Sequence, residues 1–391
     1  MLLDQIFEFV HLGWISTGSI KQGRESHTSS VLSNGKVLVA GGINYKLVAG
    51  GINQPGVTIL RSSELYDPST QTWTTAGNLN HRRADHTVSA LLDGKQLVTG
   101  GTSLDRYLYL NSAELFDPTT ENWTTIEHMH ERRSDHVALT LSNGKVLVIG
   151  GFCGQNTSRS AELYDPSTGK WTFTGSMASS RVYHTASILS NGKVLVVGGY
   201  DSSMTISNAC ELYDPSTGLW TATSSMNQKR AYHVAVTLLN GKVLVIGGWV
   251  GSPTLKGLNS TELYDPLTGV WTMTGSMKYP RISHTASLLS DGNVLVVGGT
   301  ESSDEDNVYN SSELYNPSTG IWSNAGDMLI SRDTHAASLL NNGNVLITGG
   351  HSNFDAGTIE LRSAELYVPS TNSFTTSDIN NTLQLSDKPF I

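Results

Sequence analysis

One stretch of the sequence decides the fold: residues 181–223 read RVYHTASILSNGKVLVVGGYDSSMTISNACELYDPSTGLWTAT. It contains four short segments typical of β-strands, HTASILS, KVLVVGG, CELYD and WTAT, which we name strands a to d in chain order. The segments between them, Asn-Gly, a variable loop and Pro-Ser-Thr-Gly, are typical of turns and loops. The unbroken apolar run of strand b indicates a strand that is covered on both faces. The stretch therefore predicts one four-stranded antiparallel unit.

The same unit occurs seven times along the chain, about 50 residues apart. A histidine opens strand a at His27, His86, His136, His184, His233, His284 and His335. A glutamate opens the E-L-Y/F segment of strand c at Glu64, Glu114, Glu162, Glu211, Glu262, Glu313 and Glu365. A tryptophan opens strand d at Trp73, Trp123, Trp171, Trp220, Trp271 and Trp322. Seven such units predict an all-β chain, a seven-bladed β-propeller of four-stranded antiparallel blades with the tryptophans packed between blades.

The turn between strands a and b is Asn-Gly or Asp-Gly in every unit, from Asn34-Gly35 to Asn342-Gly343. Such pairs favour a two-residue type I′ turn, in which both central residues have positive φ. We therefore expect a tight hairpin at each of these positions.

We expect the propeller to span residues 14–378, between an N-terminal extension at 1–13 and a C-terminal tail at 379–391. The blades are predicted at roughly 24–78, 82–128, 132–176, 181–225, 230–276, 281–327 and 332–378. Residues 36–44, KVLVAGGIN, are followed by a near copy at 45–53, YKLVAGGIN. Only the first copy follows the Asn34-Gly35 turn directly, so we expect the first copy to form strand b and the second to lie in a loop.

The ring can be closed in two ways, because two segments match strand d of the last blade. Residues 14–18 begin with Trp14 and fit the internal pattern, whereas residues 373–377 have Phe374 in place of tryptophan. We expect residues 14–18 to supply the outer strand. Residues 373–377 remain an alternative, because their short connection to strand c lowers the entropic cost of pairing.

The alternating strand directions place all b–c loops and d–a connections on one face, which we call the loop face. The a–b turns and the Pro-Ser-Thr-Gly turns lie on the opposite face, the turn face. The repeats differ mainly on the loop face, and variable loops on a rigid scaffold usually bind partners. The aromatic candidates for partner binding are Tyr107, Phe152, Tyr200, Trp249, Tyr309 and Phe354. For Phe152, Tyr200 and Trp249, packing over the blade core is an equally open interpretation.

Each unit begins with an R-x-x-H motif, whose arginines are Arg24, Arg83, Arg133, Arg181, Arg230, Arg281 and Arg332. Because strand a is innermost, the motif approaches the channel, and an anion- or metal-binding ring is one interpretation. We favour a structural one, since the glutamate of strand c starts at the same face and a buried charge needs a partner. One histidine per blade is also too dispersed for zinc, which needs three or four ligands around one point. Arg82 and Arg132 are additional to the motif and are therefore candidates for partner binding.

The Gly-Gly pair, the tyrosine of ELYDP and the spaced tryptophan resemble the kelch motif. Segments such as ILSNGKVLVVGG and SAELYDPSTG are similar to kelch units of galactose-oxidase-like propellers. The resemblance covers roughly residues 14–378 and implies the propeller fold, but kelch propellers serve many functions. We expect a non-catalytic binding module with a protein or carbohydrate partner on the loop face, and no cofactor.

Two alternatives stay open. The resemblance to galactose oxidase suggests a fragment of a copper-radical oxidase, whose chemistry needs two tyrosines, two histidines and a cysteine joined to a ligand tyrosine. Cys153 on the loop face favours this alternative, whereas Cys210 falls within strand c. The second alternative is the substrate-recognition part of a larger kelch ubiquitin-ligase adaptor, in which separate BTB and BACK domains accompany the propeller.

Composition excludes several classes of partner. The formal net charge is −9 with both signs scattered along the chain, so there is no basic stripe for nucleic acid. No apolar run reaches the roughly 18 residues that would span a membrane. Two cysteines exclude a disulfide scaffold. We expect a monomer, and the sequence leaves the cellular compartment open.

Overall fold

Short runs of β-branched and apolar residues between glycine-containing turns form all of the regular structure. The computed structural model describes residues 13–46, 56–103, 108–154, 156–251, 257–302, 307–354 and 357–369, and these ranges contain 36 strands and no helix. No segment within the described ranges is therefore a helix capable of crossing a membrane.

In chain order the strands are β1 (Trp14–Thr17), β2 (Thr28–Val31), β3 (Val37–Ala40), β4 (Ile43–Lys46), β5 (Gly56–Ile59), β6 (Ser63–Asp67), β7 (Thr72–Thr75), β8 (Thr87–Ala90), β9 (Gln96–Thr99), β10 (Thr102–Ser103), β11 (Leu108–Tyr109) and β12 (Ala113–Asp117). They continue as β13 (Asn122–Thr125), β14 (Val137–Thr140), β15 (Val146–Ile149), β16 (Phe152–Cys153), β17 (Asn156–Thr157), β18 (Ala161–Asp165), β19 (Lys170–Phe173), β20 (Thr185–Ile188), β21 (Val194–Val197), β22 (Cys210–Asp214), β23 (Leu219–Thr223) and β24 (Val234–Thr237). The last are β25 (Val243–Ile246), β26 (Thr261–Asp265), β27 (Val270–Met273), β28 (Thr285–Leu288), β29 (Val294–Val297), β30 (Ser311–Asn316), β31 (Ile321–Asp327), β32 (Ala336–Leu339), β33 (Val345–Thr348), β34 (His351–Phe354), β35 (Gly357–Glu360) and β36 (Ala364–Tyr367).

Within the described residues, 28 of these strands form seven four-stranded antiparallel sheets, so the predicted seven-bladed propeller is confirmed. Each blade has the order a, b, c, d, as in β20-β21-β22-β23, and strand a contacts strand a of the next blade around the channel. The other strands form small hairpins in the b–c loops, β4-β5, β10-β11, β16-β17 and β34-β35.

The apolar core lies between the blades. In β21, Leu195 and Val197 pack against the following blade, whereas Val194 and Val196 pack against the preceding one. All four side chains are fully buried, and burying one such side chain stabilises the fold by about 1.5–3 kcal/mol. This two-sided packing is the reason that strand b is an unbroken apolar run.

The turns between strands a and b differ from the predicted type I′ geometry. In the first blade Gly35 has a φ of 80°, while Asn34 is not among the residues with positive φ. Gly35 N donates to Leu32 O at 2.9 Å, Leu32 N donates to Lys36 O at 2.8 Å, and Lys36 N donates to Asn34 Oδ1 at 3.1 Å. This is a longer turn that ends in a left-handed glycine, as in a G1 bulge. The hairpin is confirmed, but the predicted turn type is wrong, because the loop contains three residues, Ser33 to Gly35, and only the glycine has positive φ.

A buried arginine joins three segments within each blade. Arg181 Nη1 donates to Gly198 O and Ala209 O, both at 2.8 Å, and Nη2 donates to Glu211 Oε1 at 3.0 Å. Glu211 also accepts a bond from Ala178 N at 2.7 Å. The same ion pair occurs in all seven blades at 2.6–3.1 Å: Arg24–Glu64, Arg83–Glu114, Arg133–Glu162, Arg181–Glu211, Arg230–Glu262, Arg281–Glu313 and Arg332–Glu365. The arginine therefore ties the d–a connection to strands b and c.

Replacing one of these arginines is expected to destabilise the protein strongly. Arg181→Ala leaves Glu211 buried without its cation, so the free energy of unfolding should fall by about 3–5 kcal/mol in urea titrations. Arg132→Ala is the matched control, because Arg132 is exposed, and its effect should stay within about 0.5 kcal/mol. Equal effects of the two substitutions would contradict the structural role of the ion pair.

The two ends of the propeller meet in the last blade. β1 pairs antiparallel with β36, which places Trp14 opposite Tyr367. Trp14 is 4% exposed, its ring centroid lies 5.3 Å from that of Tyr367, and its Nε1 donates to Ser312 Oγ of the preceding blade at 3.1 Å. The expected closure by the N-terminal segment is confirmed for residues 14–17, while residues 373–377 lie outside the described part of the chain.

The tryptophans of strand d link neighbouring blades, as the sequence predicts. Trp220 Nε1 donates to Gly175 O of the preceding blade at 2.6 Å, and Trp322 Nε1 donates to Gly275 O at 3.0 Å. Each ring thus packs between blades and also satisfies a backbone carbonyl at the outer edge.

The near-duplicate segment leaves the ring intact. β3, from the first copy, pairs with β2 and β6 as strand b of the first blade, which confirms its assignment. The second copy begins within β4, which forms a hairpin with β5 in the b–c loop. Residues 47–53 of that copy lie outside the described residues.

Candidate functional site: the mouth of the loop face

The centre of the loop face holds a cavity of about 710 Å³, which we call the mouth. It is built from two segments of each blade: the R-x-x-H turn that leads into strand a, and the residues that follow the Gly-Gly pair of strand b. A β-bridge joins the two segments, for example Val182 with Tyr200 and Ala231 with Trp249. The repeat therefore brings side chains from all seven blades to one concave surface.

The residue before each motif histidine forms the inner ring of the mouth. These residues are Ser26, Asp85, Asp135, Tyr183, Tyr232, Ser283 and Thr334, and their φ angles are all positive, between 45° and 54°. Non-glycine residues rarely adopt this left-handed conformation. Here it allows backbone bonds between neighbouring blades, since Asp85 N donates to Ser26 O at 3.2 Å and Asp135 N donates to Asp85 O at 3.1 Å. The left-handed backbone and these bonds between blades fix the direction of the seven side chains of the inner ring.

Sequence reasoning missed this ring, because it treated the two central positions of R-x-x-H as spacers. A usable signal was present. The position before the histidine is occupied only by serine, threonine, aspartate or tyrosine, while the arginine and histidine around it never change between the repeats.

One side of the mouth is an aromatic wall made of Tyr109, Phe152, Tyr183 and Tyr232. Tyr183 and Tyr232 stack with ring centroids 4.0 Å apart, Phe152 meets Tyr183 edge to face at 5.7 Å, and Tyr109 stacks on Phe152 at 6.1 Å. Tyr200 is 9% exposed and touches both stacked tyrosines edge-on at 6.3 and 6.1 Å. Such pairs contribute about 0.5–1.5 kcal/mol each beyond burial, so the wall is held rigidly.

Beside the wall the mouth is acidic. Asp85 accepts a bond from Thr102 Oγ1 at 3.1 Å, and Asp135 accepts one from Ser134 Oγ at 2.8 Å. Glu25 on the adjoining first blade and Asp333 on the last blade also line the mouth, and Asp333 Oδ1 pairs with His351 Nδ1 at 2.9 Å. Of the described residues that line the mouth, none is lysine or arginine.

The environment of Asp135 disfavours its charge. Burial is the main cause that raises the pKa of Asp135 well above its usual range, and the charge of Asp85 raises it further. Burial and the charge of Asp135 also raise the pKa of Tyr183, so that its hydroxyl keeps its proton. A carboxyl with a raised pKa binds more protons in the folded than in the unfolded state. Its contribution to stability therefore falls as the pH rises from about 4, the unfolded value, through the folded pKa.

Asp135→Asn is therefore expected to raise the melting temperature by a few degrees at about pH 7.5 and to have little effect at about pH 4. Thermal unfolding followed by circular dichroism at both pH values measures the difference. Glu127→Gln is the control, since Glu127 is exposed at the outer edge of a blade. An equal effect of Asp135→Asn at both pH values would show that the carboxylate is not held in an unfavourable environment.

The motif histidines form a belt next to the mouth, and each is only 4–8% exposed. Burial is the main cause that lowers the pKa of His136 and His284 to about 3, and the arginine of the same motif lowers it further. In most blades Nε2 shares a hydrogen bond with a threonine hydroxyl of the preceding blade. His86 bonds Thr28 at 2.9 Å and His233 bonds Thr185 at 2.8 Å. The histidines are thus neutral, and most of them form hydrogen bonds that join neighbouring blades.

His184 and His284 lack this bond. The preceding blades carry Val137 and Val234 at the position where four other blades carry threonine, and both ring nitrogens of each histidine have no hydrogen-bond partner. A buried polar atom without a partner costs about 1–3 kcal/mol.

Val234→Thr is expected to raise the free energy of unfolding by about 1 kcal/mol, because the new hydroxyl can bond His284. The mirror substitution Thr185→Val removes the partner of His233 and should lower the free energy of unfolding by a similar amount. Urea titrations of both variants test the pair. Loss of stability in Val234→Thr would show that the site cannot accept a hydroxyl.

The structure divides the aromatic residues that the sequence singled out. Phe152 and Trp249 line the mouth. Tyr200 is buried beneath the wall, in line with the packing interpretation. Tyr309 lies in a separate groove, with its ring centroid 5.3 Å from that of Tyr279. Tyr107 and the side chain of Phe354 lie outside the part of the chain that the structure describes.

The two additional arginines also differ. Arg82 is half-buried, and its Nη1 donates to Ile59 O at 2.8 Å, so it contributes to the b–c loop of the first blade. Arg132 is exposed. Neither lines the mouth as the structure describes it.

Within the described ranges there is no group of three or more histidine, cysteine, aspartate or glutamate side chains suited to a metal ion. Cys210 is buried in the core, where burial raises its pKa to about 12, and Cys153 is a half-buried free thiol. Tyr183 and Tyr232 hydrogen-bond each other.

Comparisons with known proteins agree with the architecture. Residues 136–350, more than half of the chain, match the model of the KLHDC2/KLHL20/DRC7 Kelch-repeats domain, and residues 26–80 match the Kelch motif. Among solved structures, the chain is similar to a fungal alcohol oxidase of the AA5 family in complex with copper. The identity is 20%, the TM-score is 0.70, and the match covers 92% of this chain and 76% of that one. At this identity the likeness shows the fold alone. No curated protein matches the sequence significantly.

Proposed function

Because this chain belongs to the family of KLHDC2/KLHL20/DRC7 Kelch-repeats domains, we propose that it is a non-catalytic binding module whose ligand is seated in the mouth. The partner is a protein segment or a carbohydrate, either of which can insert a side chain or a sugar unit into a cavity of about 710 Å³. The aromatic wall offers apolar contact, and the ring offers hydroxyl and carboxyl groups for hydrogen bonds.

The observation that carries the proposal is the left-handed ring. Seven non-glycine residues hold a conformation that costs roughly 1–3 kcal/mol each. Strained backbone of this kind clusters at functional sites, where the surrounding structure compensates for it. The rigid wall beside the ring supports the same proposal, because a ligand that meets fixed side chains loses less entropy on binding.

The experiment narrows the mouth without disturbing the fold. Tyr183 and Tyr232 show that the ring position accepts tyrosine, so the double variant Ser26→Tyr/Ser283→Tyr should fold. Wild type and variant are screened against a random peptide library and a glycan array, and the affinity of each selected probe is measured by calorimetry. Ligands of the wild type should bind the double variant at least about tenfold more weakly.

Ser290→Tyr is the control, since Ser290 is exposed in an a–b turn on the turn face. It should leave every affinity unchanged. If the control weakens binding and the double variant does not, the ligand site lies on the turn face and the proposal fails.

A further inference from the structure

We infer that the chain has a second ligand site, separate from the mouth, that binds a neutral carbohydrate. The site is a groove of about 560 Å³ between the fifth and the sixth blade, which we call the outer groove. Among the described residues, none lines both the outer groove and the mouth. The volume of the groove lies within the roughly 300–1,000 Å³ that small-molecule sites occupy. The inference goes beyond the proposed function, because it assigns a ligand to a different surface.

Two tyrosines that the repeat does not require line the outer groove. Tyr279 lies in the d–a connection before the sixth blade, and Tyr309 lies at the end of the b–c loop of that blade. Both are half-buried, and their ring centroids lie 5.3 Å apart. No other blade carries an aromatic ring of tyrosine, phenylalanine or tryptophan at either position, where glutamine and leucine are the commonest residues. The two rings therefore add a partly exposed apolar surface to this blade alone.

The outer strand of the sixth blade is irregular beside the groove. β31 has seven residues, whereas the outer strands of the other blades have four or five. Its pairing with β30 contains a β-bulge between Ser311 and Glu313, while the other described outer strands pair with strand c without a shift. Gly326 has a φ of 84°, and the extended pairing places Asp327 opposite Ser311 at the groove. Bulges next to functional sites redirect side chains in this way.

Polar groups that donate and accept hydrogen bonds surround the two rings. The exposed amides of Asn310 and Asn324 and the exposed hydroxyls of Ser276 and Ser323 do both, and the carboxylate of Asp327 accepts. A sugar ring has one face of C–H groups and an edge of hydroxyls that each donate and accept. The tyrosine rings can pack against the C–H face while the polar groups bond the hydroxyls, so the groove is complementary to both parts of a sugar.

The charges in the outer groove compensate each other. Glu313 Oε1 pairs with Arg281 Nη2 at 3.1 Å, and Lys278 Nζ lies 4.8 Å from the ring centroid of Tyr279. A hydrogen bond to Tyr279 is the main cause that raises the pKa of Lys278, and the charges of Glu313 and Asp327 raise it further. A cationic ligand would compete with Lys278 for the ring, and an anionic ligand would meet Asp327. A neutral ligand meets neither cost.

The test removes both rings by substitutions that the repeat itself contains. Tyr279→Gln introduces the glutamine of the first and fifth blades, and Tyr309→Leu introduces the leucine of four other blades, so the double variant should fold. Phe173→Thr is the matched control. It removes an exposed ring from the outer strand of the third blade, at a position where the first two blades carry threonine.

The full chain is screened on an array of neutral and acidic glycans, and each glycan that is retained is titrated into wild type and variants by calorimetry. A neutral glycan should bind Tyr279→Gln/Tyr309→Leu at least about tenfold more weakly, and Phe173→Thr with less than a twofold change. The inference is overturned if no neutral glycan is retained, or if every retained one binds the double variant as tightly as it binds wild type.

Hydrogen exchange gives a readout that needs no variant, so it decides even if the double variant fails to fold. In wild type, the neutral glycan should slow the exchange of amides in residues 307–313 and 321–328, which border the outer groove. Protection that is confined to other blades would contradict the inference.

The same titrations separate this inference from the proposed function. If every retained glycan loses affinity in Ser26→Tyr/Ser283→Tyr and none in Tyr279→Gln/Tyr309→Leu, glycans bind the mouth, and the inference is wrong while the proposed function stands. The reverse pattern supports the outer groove alone. Tighter binding of the glycan when it is carried on a peptide would identify a glycoprotein as the source of the sugar, and equal affinity would identify a free glycan.

Discussion

Lowering the pH from about 7.5 to about 5.5 is expected to remove about 10 kcal/mol of folding free energy and to unfold the protein. The cause is the belt of seven buried motif histidines. Burial lowers their pKa, to about 3 for His27, His136, His184 and His284 and well below the usual value for the other three. Unfolded histidine has a pKa of about 6.5 and takes up a proton in this range.

The direction of this pH effect follows from the number of protons bound by the folded and by the unfolded protein. A histidine whose folded pKa is lowered contributes stability that is present above about pH 6.5 and is lost as the pH falls toward the folded pKa. At about pH 5.5 each unfolded histidine gains about 1.4 kcal/mol from protonation, which for seven is comparable with the whole stability of roughly 5–15 kcal/mol of ordinary proteins. Asp135 acts in the opposite direction, but it is one group against seven.

Urea midpoints measured from about pH 5 to about pH 8 should rise steeply with pH. His284→Gln is the informative variant, because the ring nitrogens of His284 bond no other group and its removal should reduce the slope by about one proton. His128→Gln is the control, since His128 is exposed and should leave the slope unchanged. A midpoint that stays constant between about pH 5.5 and pH 7.5 would show that the belt is protonated in the folded state.

Removing residues 1–17 is expected to lower the melting temperature sharply. The truncation deletes β1, exposes the edge of β36 and leaves Ser312 without the indole of Trp14. Loss of one buried tryptophan alone costs about 3–5 kcal/mol, and the backbone bonds of the strand add to it. Differential scanning calorimetry measures the change.

Removing residues 372–391 is the matched truncation at the other end and should change the melting temperature little. Hydrogen exchange gives a second readout, in which the amides of 14–17 should be protected as strongly as those of other outer strands. Protection at 373–377 together with rapid exchange at 14–17 would mean that the C-terminal segment closes the ring in solution.

The repeat by itself determined the architecture. Asn-Gly turns, apolar strand b, the ELYD segment and the tryptophan recur at one period, and each has a local physical meaning that does not depend on distant contacts. The Arg–Glu pair and the role of Trp14 followed from the same logic, because a buried charge needs a partner and a ring must close. The turn type was wrong, because the loop also includes the residue before the asparagine, as Ser33 in the first blade, and only its glycine takes positive φ.

Which residues lie together around the mouth depends on the tertiary structure alone. Asp85 and Asp135 are 50 positions apart in the sequence, and Tyr183 and Tyr232 are 49 positions apart. The packing of neighbouring blades makes the two residues of each pair adjacent. Residues on different blades have no local signal of proximity, and the left-handed backbone that aims them into the mouth depends on bonds between blades. The same holds for His284, which lacks a hydrogen-bond partner because the preceding blade carries Val234 in place of a threonine. The repeat dictates each blade from local chemistry, whereas the mouth arises only where seven blades meet.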